Sequence, residues 1–123
     1  MKLQLTLALL LAGNITIAQS ATVTMSNQQF SPSRITITAG TTVTWVNKSN
    51  EQHTSTSGTG CSPDGKWNSG NLDPKGSYSH TFESEGTYSY FCIPHCSAGM
   101  TGTVEVKGSG KKTGGTSSEE KKK

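Results

Sequence analysis

The chain has 123 residues, enough for one small domain. Its formal net charge of +3 is unevenly spread: residues 22–107 carry five basic against six acidic side chains, while residues 108–123 carry five lysines against two glutamates. A near-neutral body with no basic patch interleaved with aromatics speaks against nucleic acid as a partner.

The first segment, "MKLQLTLALLLAGNITIAQSA", has Lys2, an apolar run from Leu3 to Ala12 and then small residues. That order predicts a secretory signal peptide over residues 1–20, with cleavage between 18 and 21. The apolar run falls well short of the ~20 residues that a spanning helix needs, so no stable membrane insertion is expected. Residues 21–107 form the expected domain. "ATVTMSNQQFSP" predicts one strand running to a turn at Pro32. "RITIT", "TTVTWV", "SYSHTF", "GTYSYFC" and "TVEV" follow, each alternating β-branched or aromatic residues with polar ones. Trp45 reads as core, Trp67 as a residue packing a loop, and His80 as a strand residue between Tyr78 and Phe82. Thr54 to Gly76 is the longest stretch without regular pattern, rich in Gly and Ser, and reads as a loop. Residues 108–123 lack any large apolar side chain and read as a disordered tail. The strands and their turns point to an all-β sandwich or barrel. Neither a phosphate-binding glycine motif nor a G-x-S-x-G nucleophile motif is present.

The chemistry is concentrated in "YFCIPHCSAGM", Tyr90 to Met100. Cys92, His95 and Met100 offer a thiolate, an imidazole and a thioether, a soft set that favours copper over magnesium, calcium or manganese. A fourth ligand must come from elsewhere, and His53, in the loop after the Trp45 strand, is the candidate. Two histidines and a cysteine in a trigonal plane with a weak methionine ligand is the blue-copper arrangement.

The sequence resembles the cupredoxin family, and within it the plastocyanin-like group. The family pattern G-x-Y-x-Y/F-x-C-x-P-H-x3-G-M is met by Gly86, Tyr88, Tyr90, Cys92, Pro94, His95, Gly99 and Met100. "FSPSRITITAGTTVTWVNKSNEQHT" resembles the family's first histidine region, and "MTGTVEV" its closing strand. The resemblance implies a Greek-key β-sandwich of about eight strands with one type 1 copper per chain. It implies His53, Cys92 and His95 as equatorial ligands and Met100 as the axial one. It further implies that Thr54 ties the two ligand loops together and places a backbone N–H on the thiolate. Tyr88 matches the position of a tyrosine corner. Phe91 departs from the tyrosine that plant plastocyanins carry before the ligand cysteine.

Cys96 has two readings. A binuclear purple (CuA) site would use Cys92 and Cys96 as bridges, but the histidine and methionine it needs downstream are replaced by Met100 and Thr103. Cysteine arithmetic offers the other: with Cys92 on copper, Cys61 and Cys96 remain as an even pair in an exported protein. Their disulfide would close a loop worth about 4 kcal/mol in the chain-entropy model.

The expected function is an exported, periplasmic or otherwise extracytoplasmic, monomeric carrier of single electrons, not an enzyme. Its partners would be redox proteins docking near His95: a c-type cytochrome, a copper-containing nitrite reductase, a terminal oxidase or a photosynthetic complex. An apolar patch of Pro94, Ala98, Gly99 and Met100 is expected around the His95 edge. A copper carrier or storage protein is the rival reading, weakened by a total of only three methionines.

Overall fold

The computed structural model describes residues 19–108. The signal segment up to residue 18 and the tail from residue 109 lie outside the described residues. Among those described, no helix is long and apolar enough to cross a membrane.

Among the described residues, nine strands form two sheets: β1 (Ser20–Ser26), β2 (Gln29–Ser31), β3 (Arg34–Thr38), β4 (Thr41–Asn47), β5 (Thr56–Thr59), β6 (Ser62–Asn68), β7 (Ser77–Phe82), β8 (Gly86–Phe91) and β9 (Thr101–Lys107). One sheet has the order β2-β1-β4-β7 and the other β3-β9-β8-β5-β6. The chain crosses repeatedly from sheet to sheet, so neighbours in sequence often face each other across the core. Strand β1 therefore lies parallel to β4, and β3 parallel to β9, within an otherwise antiparallel sandwich.

Alternation decides which side chains enter the core. In β4, Val43 and Trp45 point inward and are fully buried, while Thr42 and Thr44 stay outside. The outer hydroxyls pair across strands, Thr42 with Thr81 at 2.6 Å and Thr44 with Ser79 at 2.7 Å. Val23, Met25, Phe30, Ile37, Phe82, Tyr90, Val104 and Val106 complete the same core. Trp45 meets Tyr90 edge-on at 5.3 Å and stacks on Trp67 of the opposite sheet at 5.7 Å. Burial pushes the Tyr90 phenol up to about 12. The Tyr88 hydroxyl donates to the Ser84 carbonyl at 2.7 Å, the bond expected of a tyrosine corner.

Three local expectations are corrected. "ATVTMSNQQFSP" is two strands, because Asn27 and Gln28 take positive φ and fold the segment into an antiparallel turn. Thr54 to Gly76 is not a loop throughout: it contains the β5–β6 hairpin. On β5 the buried residues are Thr56, Ser57 and Gly58, so the apolar alternation that marks the other strands is missing there. Trp67 does not pack a loop; it lies on β6 and is 5% exposed within the core. Residues Ile93–Ala98 form a short 3-10 helix, with Pro94 in its first turn and Gly99 ending it at φ 92°. That left-handed angle suits a residue without a Cβ.

Candidate metal centre

The four candidate ligands come from two neighbouring loops at one end of the sandwich. The first loop leaves β4 at Asn47 and reaches His53, whose backbone bridges to Leu72 through His53 N–H to Leu72 O at 3.2 Å and Leu72 N–H to His53 O at 2.8 Å. The second leaves β8 at Phe91, carries Cys92, turns through the 3-10 helix with His95, and re-enters β9 after Met100. Its ends are closed by backbone bonds from Cys92 N–H to Met100 O at 3.0 Å and from Met100 N–H to His95 O at 3.2 Å.

These loops bring His53, Cys92 and His95 together, with their ligand atoms all within 4.8 Å of one another. Cys92 Sγ lies 3.6 Å from His53 Nδ1 and 3.4 Å from His95 Nδ1. Both imidazoles thus turn the same nitrogen toward the thiol. Cys92, His53 and Met100 are all 0% exposed. The His95 side chain is 17% exposed and is the one part of the cluster that reaches solvent.

Burial shapes the protonation of the cluster. It lowers the His53 pKa, with the nearby His95 adding to the effect and Glu51 opposing it. It raises the Cys92 thiol, against hydrogen bonds from Thr54 and His95 that draw it down. A buried neutral imidazole keeps its lone pair free for a cation, and a buried thiol gives up its proton when the cation binds.

Thr54 links the loops. Its N–H donates to Cys92 Sγ at 3.4 Å, and its Oγ1 accepts from Ile93 N–H at 2.9 Å. The Thr56 hydroxyl lies 2.9 Å from that oxygen and donates to Asn68 at 3.0 Å, so the link is anchored in the β5–β6 hairpin. Cys61 and Cys96 form a disulfide between that hairpin's turn and the ligand loop. Cys92 is the free cysteine. With Cys96 bonded to Cys61, the second bridging thiolate of a binuclear site is gone. His80 stands apart on β7, stacked on Trp67 at 5.0 Å.

The expected apolar patch is only partly as drawn. Pro94, Ala98 and Gly99 are exposed, but Met100 is buried and takes no part in the surface. Ile93 takes its place at 50% exposure, the one large hydrophobic side chain that stands out among the described residues. Sequence reasoning also passed over Ser49 and Glu51. Ser49 Oγ lies 2.8 Å from His53 Nε2, and Glu51 Oε1 lies 3.2 Å from His95 Nε2. The signal available was spacing: in Ser49-x-Glu51-x-His53 the two polar residues precede the histidine on alternate positions.

Comparison with known proteins agrees with this geometry. The family profile of copper binding proteins, plastocyanin/azurin family, matches residues 17–107. A plastocyanin from Scenedesmus fuscus is 44% identical over 85 residues, covering 63% of this chain and 86% of the relative. A chloroplastic plastocyanin from Physcomitrium patens is 36% identical over 99 residues, 72% of this chain, which spans 59% of that relative's length. Among solved structures, a purple cupredoxin from Nitrosopumilus maritimus superposes with a TM-score of 0.66 at 30% identity, covering 71% of this chain and 99% of that one. An amicyanin variant in its oxidised state superposes with a TM-score of 0.61 at 27% identity, covering 70% and 80%. The chain belongs to the plastocyanin/azurin family of copper-binding proteins. It is a plastocyanin-like cupredoxin, and His53, Cys92, His95 and Met100 are arranged as a type 1 copper site. The donor set fits the ion: a thiolate, two imidazoles and a thioether are ligands that copper accepts in both oxidation states.

Proposed function

We propose that this protein is an exported, monomeric shuttle that carries single electrons between redox proteins. The observation that carries the reading is the convergence of His53, Cys92 and His95 ligand atoms within 4.8 Å, from two loops far apart in sequence. His53, Cys92, His95 and Met100 would hold the copper, the thioether of Met100 as the weakest of the four donors. When bound, copper supplies a one-electron Cu(II)/Cu(I) couple.

The chain's own residues do the rest. Cys92 gives a covalent route into the site, and the Thr54 N–H on its sulfur withdraws electron density from the thiolate. The burial of Cys92, His53 and Met100 keeps water away from the ion. A preformed cage costs little rearrangement when the charge changes. His95 is the exit, because it alone of the four reaches the surface. Its edge sits among exposed Ile93, Pro94, Ala98 and Gly99, a small apolar area suited to brief docking of a c-type cytochrome, a copper-containing reductase, an oxidase or a photosynthetic complex. Four protein ligands leave no open position for a substrate, which supports a carrier and not an enzyme. Export rests on the N-terminal signal and on the disulfide, which suits an oxidising compartment. Cleavage at Ala18 would leave β1 whole, since Ser20 and Ala21 pair with Thr42 and Val43.

Visible absorption and EPR after adding Cu(II) to the processed protein test the reading. An intense thiolate-to-copper band with narrow, four-line copper hyperfine splitting is expected. A seven-line mixed-valence signal would point to a binuclear site, and no thiolate band at all would refute copper ligation by Cys92.

A further inference from the structure

One short loop, Lys48–Gln52, stands behind both candidate ligand histidines. Ser49 Oγ is 2.8 Å from His53 Nε2, and Glu51 Oε1 is 3.2 Å from His95 Nε2. In both rings Nδ1 faces Cys92 and Nε2 faces this loop. The loop is itself tightly held. Asn47 is 0% exposed, and its side-chain amide donates to the carbonyls of Glu51 at 2.7 Å and Leu72 at 2.9 Å. Its Oδ1 accepts from Ser49 N–H and Ser49 Oγ, each at 2.9 Å. Ser49 Oγ in turn accepts from Glu51 N–H at 3.1 Å. The Glu51 backbone is therefore fixed at both its carbonyl and its N–H before its side chain reaches His95.

The ligand loop from Cys92 to Met100 carries no charged residue of its own, so Glu51 supplies the charge in contact with the cluster. A carboxylate behind a metal-binding imidazole selects the tautomer with the proton on the outer nitrogen and makes the inner one a stronger donor. A negative charge so placed favours the more positive state of a bound ion.

We propose that Glu51 is a positioning residue for His95, one that holds Nδ1 toward Cys92 and biases bound copper toward Cu(II). The proposal rests on the reading of His95 as a copper ligand, and it goes beyond the four-ligand site by assigning a charged outer partner to the electron's exit. Ser49 is its neutral counterpart on the buried histidine. The site is therefore asymmetric: a hydroxyl backs the enclosed imidazole and a carboxylate backs the exposed one.

The test compares wild type, Glu51→Gln and Glu51→Ala in two states. In the metal-free protein, with the imidazole neutral, long-range proton–nitrogen NMR reads the His95 tautomer. Wild type and Glu51→Gln should show the Nε2–H form alone, because the amide oxygen can replace the carboxylate as partner; Glu51→Ala should show a mixture. With copper bound, equilibration against a redox mediator should move the reduction equilibrium toward Cu(I) by roughly three- to tenfold in both variants, the scale for one partly exposed charge. An unchanged tautomer in Glu51→Ala overturns the positioning role, and an unchanged equilibrium in Glu51→Gln overturns the electrostatic one. If no thiolate-to-copper band forms in wild type, the copper reading fails separately, while the metal-free NMR still decides whether Glu51 orients the ring.

Discussion

The two segments that build the metal end differ in kind. Residues 92–100 hold three of the four ligands and little that would keep them in place: backbone bonds at the ends and one short 3-10 helix. Residues 53–69 hold one ligand and a dense lattice of hydroxyl bonds. Ser55, Thr56 and Ser57 are at most 1% exposed, yet each side chain is partnered. Ser55 Oγ accepts from Trp67 Nε1 at 2.9 Å, Thr56 Oγ1 donates to Asn68 at 3.0 Å, and Ser57 Oγ donates to Asp64 at 2.6 Å. Two ties, Thr54 and the Cys61–Cys96 disulfide, then connect this frame to the ligand loop. The chemistry sits in one segment and the stiffness in the other.

That division can be broken by experiment. The largest effect should be spectroscopic: Cys92→Ala should abolish the thiolate-to-copper band while moving the denaturation midpoint of the metal-free protein only slightly. Loss of the fold with the band would show that the ligand loop is also structural. On the other side, Trp67→Ala should cost about 3–5 kcal/mol in urea unfolding, the usual range for an aromatic deleted from a core. A value below about 1 kcal/mol would place the hairpin outside the folding core, contrary to the stacking of Trp67 on Trp45.

Smaller effects should fall on the ties. Replacing Cys61 and Cys96 together by serine should lower stability by about 2–4 kcal/mol. It should also speed hydrogen exchange in the ligand loop. Unchanged exchange there would leave the disulfide a staple for the unfolded chain alone. Thr54→Val keeps the N–H on Cys92 but removes the acceptor for Ile93 N–H, and should cost about 1–3 kcal/mol. Its spectrum should shift, not vanish. The smallest effect concerns pH. Burial lowers the His80 pKa from its ordinary value of 6.5, so the unfolded chain binds a proton that the fold resists. The stability it confers is complete above that value and declines as pH falls through the window below it. His80→Gln should therefore flatten the fall in urea midpoint between neutral and mildly acidic pH. An equal slope in both proteins would remove His80 from the acid response.

The same contrast explains what could be read before the fold was known. Strands such as "TTVTWV" declare themselves because Val43 and Trp45 alternate with threonines, and one buried face imposes that period. The ligand loop declares itself because soft donors rarely crowd within nine residues. The first strand of the hairpin and its approach hide because their buried positions include Thr54 to Ser57, whose burial is made tolerable by hydrogen-bond partners up to thirty-nine residues away. No local pattern encodes such partners. Cys61 and Cys96 were legible only by counting, and Thr54 only through family resemblance. Glu51 looks like any solvated charge in a loop until the fold sets it against His95. Met100 was misplaced in the surface patch although its reading as a ligand already required it to turn inward.

The central claim is that this cage lets an electron come and go without losing the ion. Protein-film voltammetry of the copper-loaded protein tests it most directly. A reversible one-electron wave that persists over repeated cycles, with copper still stoichiometric afterwards, is the predicted result. A wave that decays as copper is released on reduction would contradict it and would make the protein a copper carrier instead.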